Sequence, residues 1–190
     1  VGQYAREKLE SADETAGVML RHAAHFVGLG EVAAARFNDG EFGAAGWARN
    51  EQDNLRAVFD RAATDPVSEA LAVRLAMASP YYGLPGNALE ALAWCRRLLA
   101  AEQYELELSE RAMLRYLAGS CAWGAGLLEE CELLYEAALA DFRVLGDARP
   151  ASWCLNGLGL VHMQQGRFDT ARTYFEENIA IKPGNAPDYD

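Results

Sequence analysis

Long apolar runs are missing from this 190-residue chain. No stretch approaches the roughly 18 residues that span a bilayer, so no membrane helix is expected. The amino-terminal VGQYAREKLE is charged and amphipathic, which excludes a secretory signal there. CxxC pairs are missing too, and no histidine stands at zinc-finger spacing, which removes the usual metal frameworks. The four cysteines, Cys95, Cys121, Cys131 and Cys154, each lie in an apolar helical run. Reduced core thiols in a cytoplasmic protein are therefore expected. β-branched residues are few beside alanine and leucine, which disfavours sheet and favours an all-α fold. Basic residues are short: 17 Lys and Arg against 28 Asp and Glu give a net charge of -11. Phosphate backbones are held by clustered cations, so direct nucleic-acid contact by this segment is not expected. No G-x-x-x-x-G-K-[ST] phosphate loop occurs. What is present is apolar matter: 51% of the residues are hydrophobic, enough for the core of one domain or a short repeat array.

Read in order, residues 1–10 look like the end of a helix belonging to something upstream. Opening on Val1 and stopping just past a helix end, the chain reads as part of a longer protein. Ser11 to Glu14 forms an S-x-x-E capping box, which predicts a helix from Ala12 to about Phe37, ended by Asn38-Asp39-Gly40. A second helix is predicted over 44–63, with Trp47, Leu55, Val58 and Phe59 on one face. Asp65 and Pro66 supply an N-cap and a first-turn proline for the next. Pro80 predicts a kink or stop there. Asn87 with Glu90 opens a helix over 88–102, and further helices follow over 106–124 and 128–145, the latter closed by Gly146. Asp147 and Pro150 start the helix that runs into Gln165-Gly166-Arg167, and a last one follows from Phe168.

Self-alignment turns this series into an array. Gly86, Gly126 and Gly166 recur at 40-residue spacing. In the same register stand Ala88, Leu128 and Phe168; Ala91, Cys131 and Ala171; Cys95, Tyr135 and Phe175; Leu98, Ala138 and Asn178; and Ser79, Gly119 and Gly159. Small residues let two helix backbones approach, and the large ones fill the space beside them. The expected division is a helical pair over 1–65 followed by repeats over 66–105, 106–146 and 147–185 within 66–190.

The last repeat resembles the tetratricopeptide (TPR) pattern through Leu155, Leu158-Gly159, His162, Phe168, Ala171, Phe175 and Pro183, departing at Asn178. The middle one resembles it through Ala118-Gly119, Gly126, Leu128, Tyr135 and Ala138, with Cys131 in place of alanine; the first departs at Pro80 and Cys95. The 40-residue period exceeds the usual 34 or so and resembles the long repeats of bacterial signalling ATPases. Val1 to Leu9, Arg21-His22-Ala-Ala-His25-Phe26 and Glu51 to Ala57, in that order, resemble the segment after the nucleotide-binding and winged-helix parts of LuxR-type and SARP-type regulators and NB-ARC-like ATPases. The resemblance implies an α-solenoid of about three TPR-like pairs after an N-terminal pair. It implies a sensor or scaffold module without enzymatic activity or cofactor, whose partner is another protein, a peptide or the ATPase core of its own chain.

Candidate sites follow from this frame. His22 and His25 share a helix face but lack further marked ligands, so no metal site is expected. His162 is expected in the core, and Glu129-Glu130 and Glu176-Glu177 on solvated faces. Glu51 to Arg56 reads as an interdomain contact or as a bracing polar network. The first helix of each TPR repeat lines the concave surface. Transferred here, that gives Val73, Ala76, Pro80 and Gly83, then Met113, Tyr116, Ser120 and Trp123, then Trp153, Asn156, Leu160 and Met163. Without lysine or arginine among them, a clamp for a terminal carboxylate is disfavoured. Met113, Tyr116, Trp123, Trp153, Asn156 and Met163 form the candidate partner-binding stripe, suited to an apolar peptide or helix. The other readings are that these side chains pack within the array, or that the solenoid ends serve self-association.

Overall fold

A computed structural model describes residues 15–41, 43, 46–62, 65–78, 87–101 and 104–181, and all regular structure among them is helical. The helices are α1 (Thr15–Asn38), α2 (Trp47–Asn50), α3 (Gln52–Arg61), α4 (Pro66–Ala78), α5 (Ala88–Leu99), α6 (Leu108–Gly124), α7 (Leu128–Leu145), α8 (Ala148–Gln164) and α9 (Phe168–Ala180). They fall into two compact units, Val1–Gly86 and Asn87–Asp190. The expected repeat over 66–105 has its first helix, α4, in one unit and its second, α5, in the other.

In the first unit α1, α3 and α4 pack on one another. The contact face of α1 is built from small and β-branched residues, with Ala23, Val27, Gly30, Ala33 and Ala34 buried. Leu55, Val58 and Phe59 of α3 face them and are at most 1% exposed. Asp65 caps α4: its carboxylate accepts from the Ser68 amide at 2.9 Å and the Ser68 hydroxyl at 2.7 Å. Arg74 of α4 forks onto both carboxylate oxygens of Glu31, each bond 2.9 Å. The helix expected over 44–63 is broken. Glu51 leaves helical geometry at φ -105°, ψ 17°, and α3 starts anew after it. Asn50, Asp53 and Asn54 crowd this point, and such side chains offer the backbone competing bonds. Asn54 donates to the Glu51 carboxylate at 2.7 Å. It also pairs with His22 Nε2 at 3.0 Å. The Glu51 to Arg56 stretch thus ties α3 to α1. The S-x-x-E box at 11–14 and the kink at Pro80 lie outside the described residues.

The second unit is a run of helices in which each packs on the next, from α5 to α9, and α6 also touches α8. This is the stacking of an α-solenoid. Asn87 caps α5 by accepting from the Glu90 amide at 3.0 Å. The two inter-helix turns are copies. Leu127 N–H bonds Ala122 C=O at 2.9 Å and Gly126 N–H bonds Trp123 C=O at 3.0 Å; forty residues on, Arg167 bonds His162 at 2.9 Å and Gly166 bonds Met163 at 3.1 Å. Both turn glycines sit at φ 76°, a left-handed conformation that L side chains resist.

The interior repeats in step as well. A Cβ on Gly119 would stand 2.7 Å from a Tyr135 ring carbon, and a Cβ on Gly159 would collide with the Phe175 ring in the same way. Each repeat thus closes by pressing an aromatic ring onto a bare backbone. Tyr135 does this twice, because a Cβ on Gly157 of α8 would come within 2.5 Å of its other edge. One ring therefore fills the space between α6 and α8 and joins the two repeats. Ion pairs decorate the outside: Arg96 with Glu130, Arg143 with Glu177, and Arg167 with Glu132.

Candidate functional site

The candidate stripe is carried by α6 and α8, which touch along the solenoid. Met113, Tyr116 and Trp123 of α6 are half-buried, as is Trp153 of α8, while Asn156 and Met163 are exposed. The 40-residue register pairs Met113 with Trp153, Tyr116 with Asn156 and Trp123 with Met163. Two helices of one skeleton therefore present different chemistry along one surface. Tyr116 bridges them. Its ring lies 5.5 Å from that of Trp153 at 40°, and 5.8 Å from that of Tyr135 at 33°. Tilted contacts at this range suit aromatic quadrupoles and hold each ring in place. Beneath the stripe, Ser120 Oγ donates to the Tyr116 carbonyl at 3.1 Å and lies 3.1 Å from the Tyr135 hydroxyl.

The ionisable groups here are kept neutral. Burial pushes the phenols of Tyr116 and Tyr135 above their usual range, and pushes the Cys154 thiol up to about 12. None is an activated nucleophile or base. The arginines of α6 are engaged elsewhere: Arg111 lies 3.4 Å and Arg115 2.5 Å from Asp141 of α7. No carboxylate clamp is formed by them.

The first-repeat positions do not extend the stripe. Val73 and Ala76 have no exposed surface, because α4 is closed over by α1 and α3. This corrects the transfer from repeat geometry: α4 spends both positions on its own core. Pro80 and Gly83 lie outside the described residues. His162 is in the core as expected, stacked on Tyr174 at 5.2 Å, with Nε2 3.6 Å from a Glu132 oxygen. Burial, and then Arg167, hold its imidazole below the usual pKa. His22 bonds Asn54, while His25 is exposed and meets Phe26 edge-on at 5.1 Å. Among the described residues no cluster of three or more His, Cys, Asp or Glu is placed to hold a metal. A shallow cleft at the turns, lined by Gly126, Leu127, Glu129, Glu130 and Gln165 among others, includes none of the stripe residues. All four cysteines are free thiols, and those of Cys95 and Cys121 hydrogen-bond across α5 and α6. That contact and burial raise the Cys95 pKa.

Sequence reasoning missed two supports of the site, Gly157 and the Ser120–Tyr135 bond. Gly157 carried a usable signal: a second glycine two residues from Gly159 costs a helix roughly 1 kcal/mol and calls for a packing reason.

Stacked helical pairs with glycine turns and an aromatic inner stripe define the class as a helical-repeat protein. Residues 109–183 match the tetratricopeptide repeat family, so this stretch carries TPR repeats. Neither the curated proteins nor the solved structures give a match to the chain. Among the described residues no helix is long and apolar enough to cross a membrane.

Proposed function

We propose that the α6–α9 repeats hold an apolar peptide or amphipathic helix along Met113, Tyr116, Trp123, Trp153, Asn156 and Met163. TPR repeats are generally protein-interaction modules. The observation that carries the finer reading is the Tyr116–Trp153 pair, which spans two repeats while Trp153 stays half-exposed. Tyrosine and tryptophan offer large contact area at low entropy cost, and Met113 and Met163 adapt to a partner's shape. We assign no catalytic role, since the groups around the stripe are neutral phenols and thiols. In this reading the module works in the bacterial cytoplasm, within a transcriptional regulator or signalling ATPase. Its partner is a second protein or its own ATPase core. The order of the 1–9, 21–26 and 51–57 segments supports that setting.

Selection of displayed helical peptides on the folded chain tests the groove. Binders should carry apolar anchors and lose about tenfold or more in affinity on Trp123→Ala or Trp153→Ala, with thermal melts verifying the fold. Binders indifferent to both changes, or anchored by a terminal carboxylate, would contradict the reading.

A further inference from the structure

We propose a second docking surface, on the outer face of α9. Its occupant is a partner helix with a glycine or alanine over Phe175 and an acidic residue five positions later, over Arg172. The surface is distinct from the α6–α8 stripe, and the argument rests on the interface between α7 and α8. There α8 covers Tyr135, which is 6% exposed, and Leu139, which is 3% exposed. Gly157 lies against the Tyr135 ring, and five residues on, His162 turns Nε2 toward Glu132 at 3.6 Å. Arg167, just past the end of α8, pairs with the same carboxylate.

Helix α9 is the same element one register later. Phe175 stands for Tyr135, Ile179 for Leu139, Arg172 for Glu132 and Phe168 for Leu128. The apolar face is kept but uncovered: Ile179 is 82% and Phe168 65% exposed. Arg172 has its side chain 68% exposed, with Asp169 of its own helix 3.6 Å away. Glu176, like its counterpart Glu136, stays exposed.

Two features define what fits. The ring at the Tyr135 position accepts only a bare or very small residue above it, as Gly157 shows, and Phe175 presents the same ring. The charge is inverted: where Glu132 receives His162 and Arg167, Arg172 calls for a carboxylate. The α8 helix of a second copy does not meet this need. It brings His162 to that place, and it is already engaged by α7 and α9.

The probe is a synthetic peptide of residues 148–165 carrying His162→Glu, titrated under reducing conditions into the labelled full chain and followed by amide NMR. Shifts should centre on residues 168–180. The unsubstituted peptide should bind more weakly, and a Gly157→Leu version about tenfold more weakly still. Ile179→Glu in the chain, at an exposed site that leaves the fold intact, should lower affinity about tenfold or more. Arg172→Glu in the chain should reverse the preference, so that the unsubstituted peptide binds more tightly than the one carrying His162→Glu. Shifts that fall on α7 instead, indifference to Ile179→Glu, or an unreversed preference after Arg172→Glu would overturn the proposal. Concentration-dependent self-association abolished by Ile179→Glu would also overturn it, by making a second copy the occupant.

Discussion

The α6/α7 pair and the α8/α9 pair share a skeleton to the level of individual hydrogen bonds, yet they bury it differently. Both close through an αL glycine, and both press a ring onto a glycine, Tyr135 on Gly119 and Phe175 on Gly159. Tyr135 is 6% exposed because α8 covers its second edge, whereas Phe175 remains half-buried. The inner surfaces differ too: Tyr116 and Trp123 in one pair face Asn156 and Met163 in the other. Backbone closure sets the repeat, then, while the residues between the closures are free to make a surface. The 40-residue register is a structural unit, and the stripe is written into it rather than required by it.

Unequal effects in equivalent positions should expose this difference. The largest belongs to Tyr135→Ala, which empties the space between Gly119 and Gly157 and should cost about 3–5 kcal/mol. Phe175→Ala removes a ring with one packed edge and should cost about 1–2 kcal/mol. Denaturant unfolding of both variants decides the matter, and equal losses would mean that Tyr135 does not join the repeats. Next come the turns. Gly126→Ala and Gly166→Ala each force alanine into a left-handed conformation and should each cost about 1 kcal/mol. A large difference between them, read from the same unfolding curves, would break the equivalence of the two turns.

The smallest effect is set by His162. Its folded pKa lies below the unfolded value because burial disfavours the imidazolium. The unfolded chain therefore binds more protons below about pH 6.5, and the contribution of neutral His162 is complete above that pH and is lost as pH falls through it. Ala122, the counterpart of His162, has nothing to titrate. His162→Phe should reduce the loss of stability between about pH 7.5 and 5.5, measured by urea unfolding at both. An unchanged pH dependence would show that His162 takes a proton without cost.

The sequence already displayed much of this architecture. Gly126, Gly146 and Gly166 were readable as helix ends because each follows a helical stripe, and only glycine adopts their φ cheaply. Gly119 with Tyr135, and Gly159 with Phe175, were readable because a small and a large residue recur in register. The break at Glu51 was harder to see, since Trp47, Leu55 and Val58 keep helical spacing across it and the competing bonds of Asn54 are side-chain events. The burial of Val73 and Ala76 was hidden for another reason. Repeat geometry places them on an inner surface, but α4 is packed by α1 and α3, which come from far earlier in the chain. Gly157 was out of register by nature, because it serves the junction between repeats rather than either repeat. Of the six stripe residues, periodicity could place all on α6 and α8, but the Tyr116–Trp153 contact needed the helices side by side.

The central claim, that this stripe is a binding surface, is tested most directly by fluorine NMR on chain labelled with 5-fluorotryptophan. Its four tryptophans report separately without any substitution. On addition of a selected apolar helical peptide, the Trp123 and Trp153 resonances should shift while that of Trp94, 4% exposed, stays in place. Saturating peptide that leaves both Trp123 and Trp153 unmoved would contradict the account.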